Sequence, residues 1–177
     1  MSNYVNQCIV LIFDLRYNVG REELMFVKRK LVLFSFMVCF VLLLCGCGSK
    51  KAITTRDFKN ITEQSGFSTM DVKDQFDSNV IVEGTLAFTD DYKLEFYVLD
   101  SSDSAKSMFE HNKSIFEGKK SGISSYVSTD LANYNTYMLQ SGGYYMYLSR
   151  IDNTLLYVNV LDSYKDIIKE VVKDLGY

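Results

Sequence analysis

Three runs of alternating apolar and polar residues, at about 133–140, 144–151 and 154–161, are separated only by Gly142-Gly143 and Asp152-Asn153. A period of two is the mark of a strand with one buried face, and such dipeptides supply the positive-φ residues that tight hairpin turns need. The segment is therefore expected to fold as an antiparallel meander. A second hairpin is expected upstream. Val80, Val82, Gly84, Leu86 and Phe88 alternate with Ile81, Glu83, Thr85 and Ala87, and Thr89-Asp90-Asp91 makes the turn. Tyr92, Leu94, Phe96 and Val98 then alternate with Lys93, Glu95 and Tyr97.

Three helices accompany these strands. Thr54 and Asp57 have the spacing of a capping box; Phe58 and Ile61 follow on one face, and Gly66 suits the stop. Ser101-Ser102-Asp103 opens a second helix, with Ala105, Met108, Phe109, Asn112, Ile115 and Phe116 at helical spacing and Gly118 to Gly122 at its end. Ser163 and Asp166 read as another capping box. Tyr164, Ile167, Ile168, Val171, Val172 and Leu175 then form the most regular apolar stripe in the chain, closed by Gly176. Ile123 to Val127 fits a short edge strand. Residues 67–78 are ambiguous, because Asp71, Asp74 and Asp77 interrupt Met70, Val72 and Phe76. That acidic row lacks the calcium-loop pattern and reads as a solvated face. The expected fold class is α+β, in the order α-β-β-α-(β)-β-β-β-α, with an antiparallel meander packed against about three helices and one sheet face partly open.

Ahead of this domain, Lys28-Arg29-Lys30 precedes the uncharged run Leu31 to Leu44, which ends on Cys45-Gly46-Cys47. Cations, a short apolar run and small residues follow one another as in a secretory signal, and the run is short for a bilayer span. The cations favour a cytoplasmic N-terminal side, which sends residues 48 onward outside. Leu44-Cys45-Gly46-Cys47 resembles the lipobox of bacterial lipoprotein precursors. The resemblance implies a diacylglyceryl group on the Cys47 sulfur, cleavage before Cys47, and a partner in the membrane. The competing expectation is an uncleaved transmembrane anchor. Residues 25–46 are thus read as a signal peptide, 47–54 as the lipidated cysteine with a short tether, and 55–177 as the extracytoplasmic domain. In the tether, Lys50 and Lys51 either touch anionic head groups or stay solvated. Residues 1–24 fit a signal poorly; they are read as an upstream extension with translation starting at Met25, or else as a short cytoplasmic tail.

The 130 residues after Cys47 contain no cysteine and carry 14 Lys and Arg against 19 Asp and Glu. A disulfide framework and a cysteine zinc site are excluded there, and an acidic domain lacks the basic footprint of a nucleic-acid binder. The one histidine, His111, lies among Glu110, Asn112 and Lys113 on the second helix without a triad in view. Asp90, Asp91, Asp100 and Asp103 sit at a turn and a helix start, where acidic residues serve structure. No catalytic residue, metal site or cofactor is assigned, and the domain is not read as an enzyme.

What stands out is tyrosine: Tyr126, Tyr134, Tyr137, Tyr144, Tyr145 and Tyr147 within 22 positions, with Arg150 close by. Exposed tyrosines suit protein, peptide or glycan recognition, and an arginine fork suits a carboxylate. Tyrosine also serves a sheet structurally through cross-strand aromatic pairs, and Arg150 could simply pair with a nearby Asp. The leading expectation is a membrane-anchored lipoprotein whose non-catalytic domain binds a protein, peptide or envelope component through Tyr134, Tyr137, Tyr144, Tyr145, Tyr147 and Arg150. The alternatives are a carrier of a small apolar ligand and a carboxylate-based enzyme or accessory.

Overall fold

The computed structural model describes residues 49–76 and 79–177; Cys47, the apolar run and residues 1–24 lie outside the described residues. Residues Ser49–Tyr177 make one compact unit. In chain order it contains α1 (Thr55–Gln64), β1 (Ser68–Asp71), β2 (Ile81–Phe88), β3 (Lys93–Leu99), α2 (Ser102–Glu117), β4 (Ser125–Asp130), β5 (Tyr134–Ser141), β6 (Tyr144–Ile151), β7 (Thr154–Leu161) and α3 (Lys165–Asp174). Single 3-10 turns lie at Lys73–Gln75 and Asp162–Tyr164. The fold is α+β: one seven-stranded sheet in the order β1-β2-β3-β7-β6-β5-β4, antiparallel at every pairing.

The meander forms as its turns require. Gly142 and Gly143 take φ of 59° and 82°, and Asp152 takes 49°, so each hairpin reverses at a left-handed residue. α1 begins with the capping box, the Thr54 hydroxyl accepting from the Asp57 N–H at 3.2 Å while the Asp57 carboxylate accepts from the Thr54 N–H at 3.1 Å. These bonds to Thr54 hold the Asp57 carboxyl below the usual carboxylate range.

Two departures from the sequence reading concern local signals. Residues 68–71 form a strand, because Ser68–Asp71 pairs along β2 from Phe88 to Thr85. The Ser163 capping box does not form. Ser163 lies within the 3-10 turn, and α3 starts after Tyr164 with no side-chain cap. Of the acidic row, Asp71 accepts from the Lys73 N–H at 2.8 Å and so shapes the chain's exit from β1, while Asp77 lies outside the described residues.

Strand alternation divides the core in two. On one face, α1 and α3 pack Phe58, Ile168, Val171, Val172 and Leu175 onto Leu94, Phe96, Leu156, Val158 and Val160. Phe58 stacks on Phe96 at 4.9 Å between ring centroids. On the other face, α2 packs Ala105, Phe109 and Phe116 onto Tyr97, Tyr137, Leu139, Leu148 and Leu155. Each aromatic or aliphatic side chain so buried contributes about 1.5–3 kcal/mol. Both faces are therefore covered at the centre.

Candidate functional site

The register lays out the face under α2 row by row. Beyond Phe116, one row crosses the sheet as Lys93 on β3, Asn159 on β7, Met146 on β6, Leu139 on β5 and Tyr126 on β4. The segment following α2 turns back over this row. Its Ser121 N–H donates to the Ser141 hydroxyl at 2.9 Å, which pins the loop to the end of β5. Between loop and sheet lies a cavity of about 470 Å³, lined by Lys119, Ser121, Ser141, Gly142, Tyr144, Met146 and Asn159. A smaller hollow of about 190 Å³ adjoins it at Lys93, Glu95, Tyr157 and Asn159.

Chemically the larger cavity is mixed. Met146 and Asn159 make its floor, and the half-exposed Tyr144 offers an aromatic side. Lys119 supplies a cation and Ser121 a hydroxyl. The Asn159 Oδ1 is buried and has no hydrogen-bond partner among the described residues. A buried, unpaired amide oxygen costs about 1–3 kcal/mol, so the position favours a ligand that brings a donor. In the smaller hollow the polar groups already satisfy one another. Lys93 meets Glu95 at 3.0 Å, and the Tyr97 hydroxyl donates to the same carboxylate at 2.7 Å. Burial raises the Tyr97 phenol strongly, so it stays a donor at any physiological pH.

The six tyrosines do not make one surface. Tyr137 and Tyr126 lie on the α2 face, stacked at 6.4 Å, with Tyr137 fully buried and Tyr126 exposed. Tyr144 lines the cavity on that same face. Tyr134, Tyr145 and Tyr147 belong to the opposite core, under α1 and α3. Burial raises the Tyr145 phenol to about 12 and the Tyr147 phenol in the same direction. Arg150 is buried rather than presented: its Nε donates to Asn135 Oδ1, its Nη1 to the Asp152 carbonyl at 3.0 Å, and Asn135 donates in turn to Asp130. Only Tyr144 and Tyr126 of the seven present large exposed area. Lys119, Ser121 and Asn159 carried no motif in the sequence; the one available signal was Asn159, a polar residue between Val158 and Val160 in an otherwise apolar strand. His111 is exposed on α2, and no group of His, Cys, Asp and Glu suited to a metal ion occurs among the described residues. Among those residues, too, no helix is long and apolar enough to cross a membrane.

No family model matches the chain, and no curated protein matches it. Among solved structures it is similar to a GTP-binding regulator from Thermotoga maritima, with 17% identity over 67% of this chain and 84% of that one, at a TM-score of 0.43. It is also similar to the extracellular domain of PknH from Mycobacterium tuberculosis, with 9% identity over 72% of this chain and 80% of that one, at a TM-score of 0.29.

Proposed function

We propose that this chain is a bacterial lipoprotein, anchored on the extracytoplasmic face of the cell membrane by a diacylglyceryl group on Cys47, whose domain is a non-catalytic binding module for an envelope component. The anchor rests on the Leu44-Cys45-Gly46-Cys47 pattern behind its cations and apolar run. The binding role rests on one observation above all, the unpaired Asn159 oxygen on the floor of a cavity edged by Lys119, Ser121 and Tyr144. A ligand suited to it carries an N–H or O–H for Asn159, an anionic group for Lys119 and a ring for Tyr144. Carboxylated, N-acetylated cell-wall sugars combine all three. The mixed lining disfavours a purely apolar ligand, and Glu95, in the adjoining hollow, is already held by Lys93 and Tyr97.

Two measurements test this reading. Metabolic labelling with a fatty-acid probe tags the wild-type protein and fails with Cys47→Ala; labelling that survives the substitution sinks the anchor. Titrating the soluble 48–177 fragment with N-acetylmuramic acid shifts the NMR signals of Ser121, Tyr144 and Asn159, and Asn159→Leu removes the response. Shifts confined to other residues, or none at all, reject the cavity as the site.

A further inference from the structure

The sheet ends at β4, and beyond it no strand pairs among the described residues. Natural edge strands are blunted by lysine, proline, a bulge or a covering element, because their unpaired backbone groups template further pairing. β4 has none of these within Ser125–Thr129. All but Thr129 of its residues are exposed, Tyr126 at 60% and Val127 at 56%, while the irregularity of register in the sheet falls in β2, between Ile81 and Glu83. The strand is also polar along its length. Lys120 lies over the Tyr126 ring at 4.2 Å, with Glu117 3.9 Å away, so the N-terminal end of β4 is flanked by a cation. Asp130 closes the C-terminal end and lies on the same face as Tyr126, four pairs along.

We propose that β4 is a self-pairing edge, and that its partner is β4 of a second copy of this chain. Antiparallel pairing about a two-fold axis perpendicular to the sheet joins residues of equal parity, which keeps each face of one copy on the same side as in the other. With Ser128 on the axis, Val127 meets Thr129 and Tyr126 meets Asp130. Each Lys120 then stands beside the other copy's Asp130, so the charge pairing occurs twice. No like charges face each other, and both β-branched residues share one side. A parallel arrangement brings Lys120 to Lys120 and Asp130 to Asp130 instead. The pairing doubles the seven-stranded sheet into one continuous sheet.

The test uses the full-length chain in membranes. Ser128→Cys places a thiol on the axis, where opposed Cα atoms about 5.5 Å apart fall within the range a disulfide bridges. Oxidation is expected to yield a dimer band that neither the wild type nor Ser107→Cys, on the exposed side of α2, produces. Val127→Lys in the Ser128→Cys background puts a blunting lysine on the edge strand of each copy and lowers the cross-linked fraction about tenfold. Asp130→Lys does the same, and adding Lys120→Asp to it restores the band. Protease resistance checks that each variant is folded; should Asp130→Lys not fold, Val127→Lys decides. The proposal is overturned by no dimer from Ser128→Cys, by a band that Val127→Lys leaves unchanged, or by an equal band from Ser107→Cys. Cross-linking of Ser128→Cys to a different protein in place of a dimer also overturns it and hands the edge to a foreign strand.

Discussion

Arg150 reaches from β6 to Asn135 on β5, Asn135 reaches Asp130, and the second arm of the guanidinium holds the Asp152 carbonyl in the β6–β7 turn. The amide of Asn135 thus relays between a buried cation and a carboxylate one strand further out. Removing the arginine leaves Asn135 Oδ1 and the turn carbonyl without donors. Arg150→Met is expected to destabilise the domain by about 1–3 kcal/mol, read as a lower denaturant midpoint, and Arg150→Lys to recover little because lysine has no Nε fork. An unchanged midpoint contradicts the relay. At this scale the sequence was partly legible. Tyr144 and Tyr145 are adjacent on a strand and must point to opposite faces, so parity alone separates Tyr144 from Tyr145 and Tyr147. What parity does not tell is which face a helix covers, and hence that Tyr137 is sealed in while Tyr126, stacked on it, stays out.

Elements were more legible than residues. The hairpin β2–β3, the meander β5–β6–β7 and all three helices follow from period and turn chemistry, since each is specified by signals within its own span. β1 is the counter-example. Four residues with an exposed Met70 and a terminal Asp71 carry no strand signal, and only the partner β2, more than ten positions away, makes them one. β4 begins later than Ile123 to Val127 suggests for a related reason: Ile123 looks like a strand residue but stands fully exposed before the pairing with β5 begins at Ser125. For α3, the dense apolar stripe was informative although the cap was not. Packing of Ile168, Val171, Val172 and Leu175 outweighs the lack of a side-chain cap. α1, in contrast, depends on its N-terminus. Thr54→Ala is expected to lower stability by about 1 kcal/mol, whereas Ser163→Ala changes it by less than about 0.5 kcal/mol. Thermal melts of both variants check the pair, and equal losses contradict the difference in capping.

Across the whole molecule, both cores contain phenols buried away from water. Tyr97 belongs to the α2 side, and Tyr145 and Tyr177 to the side of α1 and α3, where the Tyr177 hydroxyl meets that of Thr154. Desolvation raises all three above the ordinary tyrosine value of 10, Tyr145 to about 12. A group raised on folding lends stability that is fully present below its unfolded value and is lost as pH climbs through the folded one. Stability is therefore expected to hold up to pH 10 and to fall between 10 and 12, with the tyrosinate absorbance rising together with loss of the fold. Ionisation of these phenols well below unfolding contradicts their burial. The two-sided covering of the sheet was not read from the sequence, although the nearly unbroken apolar run Leu155 to Val158 is what a strand buried on both faces looks like.

Asn133 donates to the Lys50 carbonyl at 2.7 Å, the Lys50 ammonium lies over Tyr134, and Ala52 and Ile53 pack on the core beside α1. The domain is thus moored from Lys50 onward, three residues after the cysteine proposed to carry the lipid. Three extended residues span about 10 Å, roughly a third of a bilayer's hydrocarbon thickness. With the proposed lipid on Cys47, so short a mooring would keep the domain close to the bilayer surface.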